Sequence, residues 1–376
     1  MIYFDNAATT RPNPLAVEKA AIFLNEEYFN PSAPYEAGAK LLSTLKTARN
    51  SLLRHIGGEN AFELTFTASG TEADNTAIFS FARRGNAVTC VVEHSAVSAA
   101  FAELKNRGIV EPRYASVNAD GSVNEESLLS LVDDKTSFVS LMHVNNETGA
   151  INDINAIAKK IKAKNPRVIF HSDGVQAYGK LPYRIGTDID LYSVSAHKLG
   201  GVKGVGALVR KKGLALRPYI YGGGQENGLR SGTENVFGIK AFEYAAEEKF
   251  KTVKEDYARM QSYKEKLIGL LDDEIFTVLS GKNASPYILY IAAVGVKGEI
   301  LVRVASDQGL LIGTGSACST NAKLRYSKVA LACGFGEKTA ESVLRLSFSV
   351  DTTEEEIERA AIILNDIGRE YARKMR

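Results

Sequence analysis

"DLYSVSAHKLGGVKGVGALV" (residues 190–209) starts as a strand and ends as a glycine-rich loop, with a lysine at the join. Apolar and polar residues alternate through "DLYSVS", the period of a β-strand. Lys198 follows, then Gly200, Gly201 and Gly204, which let other groups come close to the backbone. A lone lysine on a loop is most often a solvated surface group. Its setting in the chain decides whether this one is.

Upstream, short apolar runs of the same kind recur at "FELTF" (62–66), "VTCVV" (88–92), "SFVSLM" (137–142) and "VIFH" (168–171). Between them, residues 71–84, 95–107, 124–132 and 153–164 carry helical periodicity. Such alternation predicts a mostly parallel sheet covered by helices on both faces, an α/β architecture whose ligands bind beyond the carboxyl ends of the strands. After about residue 250 the pattern changes to a charged helical stretch (247–272), a strand-like run "ILYIAAVGV" (288–296), a glycine-rich segment and a last helix. In that helix Thr353 and Glu356 form a capping box, and Ile357, Ala360, Ala361, Leu364, Ile367 and Tyr371 recur as one buried stripe. A smaller α+β domain is expected there.

Composition narrows the function. With 46 Lys+Arg against 44 Asp+Glu the formal charge is +2, too balanced for a nucleic-acid or anionic-membrane surface. Three cysteines, Cys90, Cys318 and Cys333, are odd in number and show no paired spacing, which suits reduced thiols in a cytoplasmic setting. The start "MIYFDNAATT" lacks the basic flank and apolar core of a signal peptide, and no apolar run reaches the roughly 20 residues of a membrane span.

The strand ends carry the chemistry. "FTASGTEADN" runs from a strand through Ser69, Gly70 and Thr71 into a helix, where free backbone N–H groups favour phosphate. His94 ends the next strand in "VVEHSAV", Asn145 and Asn146 end another in "HVNNETGA", and Asp173 and Gln176 follow "VIFH". Singly, each reads as a helix cap or a satisfied loop residue. Jointly, a phosphate cradle, an aspartate, a histidine and an amine are the parts that hold pyridoxal 5′-phosphate. The lysine would form the Schiff base and the aspartate would keep the ring nitrogen protonated.

From these residues the chain resembles the cysteine desulfurases of the NifS/IscS kind, class V enzymes of the PLP-dependent transferase fold type I. The likeness extends through "YFDNAATT", "NPSAPYEAG", "GGGQENGLRSGTENV", "GVKGE", "GTGSACS" and "RLSFSVDTTEEEI", all in family order. It implies a large PLP-binding domain over residues 15–250 and a small domain formed by 1–14 and 251–376. It makes Lys198 the cofactor lysine, Asp173 the partner of the ring nitrogen, Gln176 the donor to the phenolic oxygen and His94 the stacking ring. Gly70, Thr71, Ser195 and His197 would hold the phosphate. Thr233 would reach the phosphate in a neighbouring subunit of a homodimer. Arg345, helped by Asn146, would bind the carboxylate of L-cysteine. Asn146 also counts among the cofactor contacts, and no metal is called for.

Cys318 lies among Gly313, Gly315, Ser316 and Ser319, a poor setting for a packing residue. The resemblance makes it the acceptor of sulfur on a long mobile loop, giving alanine and a persulfide for an acceptor protein in iron–sulfur cluster assembly or tRNA thiolation. Cys90 and Cys333 read as core. Relatives often differ at Tyr35, Gln225 and Asn227 and at the end of "RLSFSVD", positions that carry no cofactor. Another class V enzyme, an aminotransferase or amino-acid lyase, would share Lys198, Asp173 and Arg345 but have no use for Cys318. A non-catalytic scaffold would be favoured by loss of Lys198, Asp173 or Cys318, and all three are present.

Overall fold

Seven strands build the central sheet, and their order places the expected site residues along one edge. The strands of the chain are β1 (Ile2–Tyr3), β2 (Phe62–Thr67), β3 (Asn86–Cys90), β4 (Glu111–Ala115), β5 (Thr136–Ser140), β6 (Ile169–Asp173), β7 (Leu191–Ser195), β8 (Gly206–Lys211), β9 (Phe276–Val278), β10 (Ile288–Ala293), β11 (Leu310–Leu311) and β12 (Val343–Ser347). The computed structural model describes residues 1–293, 295–314 and 326–375. Cys318, Gly315, Ser316 and Ser319 lie outside the described residues.

The large sheet runs β2-β8-β7-β6-β5-β3-β4. Pairs β4/β3, β3/β5, β5/β6 and β6/β7 are parallel, while β8 is antiparallel to both β7 and β2. Helices Gly70–Phe81, Ser95–Asn106, Glu125–Leu131 and Ile154–Lys164 separate the parallel strands, as the periodicity predicts. β3, β6 and β7 are nearly all buried, hence their continuous apolar character. Two apolar clusters form around this sheet. One holds Leu41, Leu45, Val88, Val139, Phe170 and Val194; the other holds Ala77, Ile78, Val97, Phe101 and Phe138.

Towards the C-terminus, β12-β10-β9 form a three-stranded antiparallel sheet. Helix Glu354–Met375 buries Ile357, Ala360, Ala361, Leu364 and Ile367 against it, with Tyr371 half-buried at the margin. Its capping box is formed: Glu356 N–H donates to Thr353 Oγ1 (3.2 Å) and Thr353 N–H donates to Glu356 Oε2 (3.1 Å). The N-terminus joins this part of the molecule. β1 pairs in parallel with β11, Asp5 bridges to Ser347, and Phe4 meets Phe348 edge to face at 5.1 Å. Cys90 and Cys333 are buried, and burial pushes both thiols up, Cys333 to about 11. They are packing residues, as expected.

Candidate active site

One cavity lies beyond the carboxyl ends of the parallel strands. It is lined by Gly70, Thr71, His94, Asn146, Asp173, Gln176, Ser195, His197 and Lys198, together with Ala7, Ser69, Asp74, Met142, Val144 and Val175. Nine residues singled out in the sequence therefore converge.

The phosphate turn is built first. Ser69 caps helix Gly70–Phe81, its hydroxyl accepting from Glu72 N–H at 3.1 Å. A Cβ on Gly206 would stand 2.5 Å from the Ser69 carbonyl carbon, so β8 can lie against the turn only as glycine. At Gly70 a Cβ would meet Val175 Cγ2 at 2.7 Å. Beside this turn the Ser195 hydroxyl is buried without a hydrogen-bond partner. An orphaned hydroxyl next to a helix N-terminus is what an oxyanion ligand would satisfy. The residues fit the phosphate of pyridoxal phosphate.

Asp173 ends β6 and is buried; Val175 N–H donates to its Oδ1 at 2.9 Å. Burial raises its pKa, opposed by His94, that N–H and Lys198. Asp74 faces the same cavity one turn into its helix. Burial and then Asp173 hold its carboxyl well above the usual range, and its Oδ1 has no hydrogen-bond partner. Two buried carboxyls and one expected ring cation leave room for a single anion, and the strand-end aspartate is the one with a charge-stabilising N–H.

His94 caps helix Ser95–Asn106, its Nδ1 accepting from Ala96 N–H at 3.1 Å. That bond leaves the proton of the neutral ring on Nε2. Burial lowers its pKa, although Asp173 pulls the other way. His197 is held near neutrality of its own kind: burial and nearby lysines push it down to about 4, and its Nδ1 lies 3.1 Å from Thr9 Oγ1.

Lys198 is half-buried, and its Nζ donates to the carbonyls of Ala7 (2.7 Å) and Ala8 (2.8 Å). These are backbone acceptors supplied by "DNAATT". No side-chain pattern announces a carbonyl, so sequence reasoning missed them. The same segment supplies Asp5, whose Oδ1 accepts from Arg345 Nη2 at 2.7 Å. Arg345 is fully buried, its Nη1 donates to the Asn146 carbonyl at 3.0 Å, and its Nε has no partner among the described residues. A buried guanidinium with an unfilled N–H suits a carboxylate ligand. Arg345 is not itself among the lining residues, and Thr233, which is exposed, does not line the cavity either.

Comparison with known proteins decides what such a cavity belongs to. The class V aminotransferase family model matches residues 2–360. The chain belongs to that family. A NifS/IscS protein homologue of Lactobacillus delbrueckii subsp. bulgaricus is 38% identical over 99% of this chain and 98% of its own. A cysteine desulfurase of Gluconacetobacter diazotrophicus is 36% identical over 97% of this chain and 93% of its own. Among solved structures, a NifS-like protein superposes with TM-score 0.90 at 32% identity, covering 97% of this chain and 98% of that one. Another, SspA in complex with cysteine, gives TM-score 0.79 at 27% identity, covering 93% of this chain and 99% of that one. The family resemblance drawn from the motifs is borne out, as is the PLP-dependent transferase fold. This chain is a pyridoxal phosphate-dependent cysteine desulfurase. Among its described residues no helix is long and apolar enough to cross a membrane.

Proposed function

We propose that the chain takes sulfur from L-cysteine onto Cys318, leaving L-alanine, and passes the persulfide to an acceptor protein for iron–sulfur cluster assembly or tRNA thiolation. The observation that carries this reading is the convergence of Lys198, Asp173, Gln176, His94 and the Gly70–Thr71 turn on one cavity, with Arg345 tied to its rim through Asn146. Lys198 would hold the cofactor covalently, Asp173 would face the ring nitrogen, Gln176 would donate to the phenolic oxygen and His94 would stack. Gly70, Thr71, Ser195 and His197 would hold the phosphate, with Asn146 beside the ring.

When bound, the cofactor supplies an electron sink for the pair left at Cα as the substrate loses its proton. The protein does the rest. Arg345 fixes the substrate carboxylate through its free Nε edge, and Lys198 Nζ moves the Cα proton. His94 Nε2 manages the proton at the substrate sulfur. The Cys318 thiolate attacks that sulfur: the carbon–sulfur bond breaks, a sulfur–sulfur bond forms and Cβ gains hydrogen. Cysteine plus thiol thus becomes alanine plus persulfide, with no external oxidant.

We further propose a cytoplasmic homodimer in which Thr233 reaches the neighbouring phosphate, and the division into residues 15–250 and 1–14 with 251–376. The pairing of β1 with β11 supports that division. The test of the reaction is Cys318→Ser with L-cysteine. It should bind cysteine and change the cofactor spectrum, yet release almost no sulfide or alanine, while borohydride fixes the cofactor on the Lys198 peptide of the parent. Near-normal alanine from Cys318→Ser would reassign the protein to lyase chemistry.

A further inference from the structure

Among the described residues, no acid stands beside the buried Lys180. It is 5% exposed, and the charged groups acting on it are the cations Lys198, Lys249 and Arg345. Burial, then those cations, holds its pKa well below that of an ordinary lysine. A methionine would fill the same space without the desolvation cost of an amine. The amine must therefore do something that packing does not.

Its contact is specific. Residues 174–181 form a tight turn, with Tyr178 N–H donating to Gly174 O (2.9 Å) and Leu181 N–H to Ala177 O (2.9 Å), which stacks Lys180 one turn beyond Gln176. Lys180 Nζ donates to Gln176 Oε1 at 2.9 Å, and Gln176 Nε2 donates to the Ala7 carbonyl at 2.8 Å. That carbonyl also accepts from Lys198 Nζ at 2.7 Å. An amide can be turned end for end, and only its partners decide which end is nitrogen. The Ala7 carbonyl can only accept, so it takes the amide nitrogen and leaves the amide oxygen to the Lys180 amine.

We propose that Lys180 is a positioning residue: by holding the amide oxygen of Gln176, it keeps the amide nitrogen on the cavity side beside Ala7 and Lys198. This rests on the reading of Gln176 as the donor to the phenolic oxygen of the cofactor. A turned amide would set oxygen against oxygen there. An N–H given to the phenolic oxygen stabilises its anion, so the proton shared between that oxygen and the Lys198 link is lost at lower pH. Without Lys180 that midpoint rises.

The experiment is a pH titration of the visible absorption of the cofactor-loaded protein, in a double-mutant cycle. Gln176→Ala and Lys180→Met should each raise the midpoint by about one pH unit, the weight of one hydrogen bond to a charged group. In the Gln176→Ala background Lys180→Met should add almost nothing, because the lysine acts through the amide. Lys180→Met should also weaken binding of pyridoxal phosphate to the cofactor-free protein several-fold. An unchanged midpoint in Lys180→Met overturns the proposal. So does an undiminished shift in the double variant, which would mean the amine acts by its own charge. If Lys180→Met does not fold, the same cycle with Lys180→Gln gives a smaller shift that must also vanish without Gln176. A parent protein that binds no cofactor would instead overturn the reading of the site.

Discussion

Arg345 shows how much one residue carries. Its guanidinium is fully buried, so it needs an anion even before substrate arrives, and Asp5 supplies it. In the proposed site the substrate carboxylate would take the Nε edge, which has no partner among the described residues. A lysine at this position keeps the charge but cannot hold Asp5, the Asn146 carbonyl and a carboxylate in one plane. Arg345→Lys should raise KM for cysteine roughly 10- to 100-fold, the loss of one charge-assisted hydrogen bond, with the resting cofactor spectrum and kcat little changed. Steady-state kinetics over a wide cysteine range checks this; an unaltered KM would remove Arg345 from the carboxylate site. The expectation for Arg345 rests on "RLS" standing in a family motif. Asp5 was not, since nothing in "YFDN" says that its carboxylate meets a residue 340 positions away.

At the scale of the element, β6 explains what the sequence tells and what it hides. "VIFH" reads as a strand, and it is one, extended to Asp173. β4 was missed because its "EPRYA" is largely exposed and holds a proline, as an edge strand can. The antiparallel entry of β8 between β2 and β7 depends on a partner some 140 residues upstream, a pairing that no local period encodes. Two residues before Asp173, His171 is buried with both ring nitrogens tied, Nδ1 to Ser140 Oγ and Nε2 to Ser193 Oγ, each at 2.9 Å. Burial pushes its pKa down to about 3. The unfolded chain takes up a proton near pH 6.5 and the folded one does not, so stability is complete above about 6.5 and falls as the pH drops towards 3. For His171 alone the loss at pH 5.5 is about 1.4 kcal/mol. His171→Gln should cost stability at pH 7.5 but show a shallower fall to pH 5.5, by about 1 kcal/mol, in urea unfolding of the cofactor-free protein. Parallel pH curves for the two proteins would mean that His171 titrates alike folded and unfolded.

At the scale of the whole molecule, the proposed homodimer would add what a single chain does not contain. The N-terminal segment spans two tasks: Phe4 is buried against Phe348, while Ala7 and Ala8 hold Lys198 from a cavity built mainly by the large sheet. Elsewhere on the surface Leu24, Tyr28, Tyr35, Leu42 and Tyr221 leave large apolar side chains exposed. Thr233 is exposed too, beyond the strained pair Glu226 and Asn227, both with positive φ. Glu226 is pinned by an ion pair with Arg49 and by Phe66 N–H at 2.9 Å, so the start of the loop is held in shape. In the proposed homodimer a second copy would give Thr233 its task. If Thr233 serves the neighbouring cavity, activity should complement across subunits. Lys198→Ala has no functional cavity of its own but an intact Thr233, and Thr233→Trp has an intact cavity but a blocked tip. Each homodimer should be nearly inactive. After mixing, unfolding and refolding together, the hybrid pairs an intact Lys198 cavity with an intact Thr233, and half the subunits in the hybrid should regain sulfide release. Random pairing makes half of all dimers hybrids, so about a quarter of the parent activity per subunit is expected, in the manner of a shared two-fold interface. Recovery no greater than the sum of the two separate variants would show that Thr233 works within its own chain or not at all.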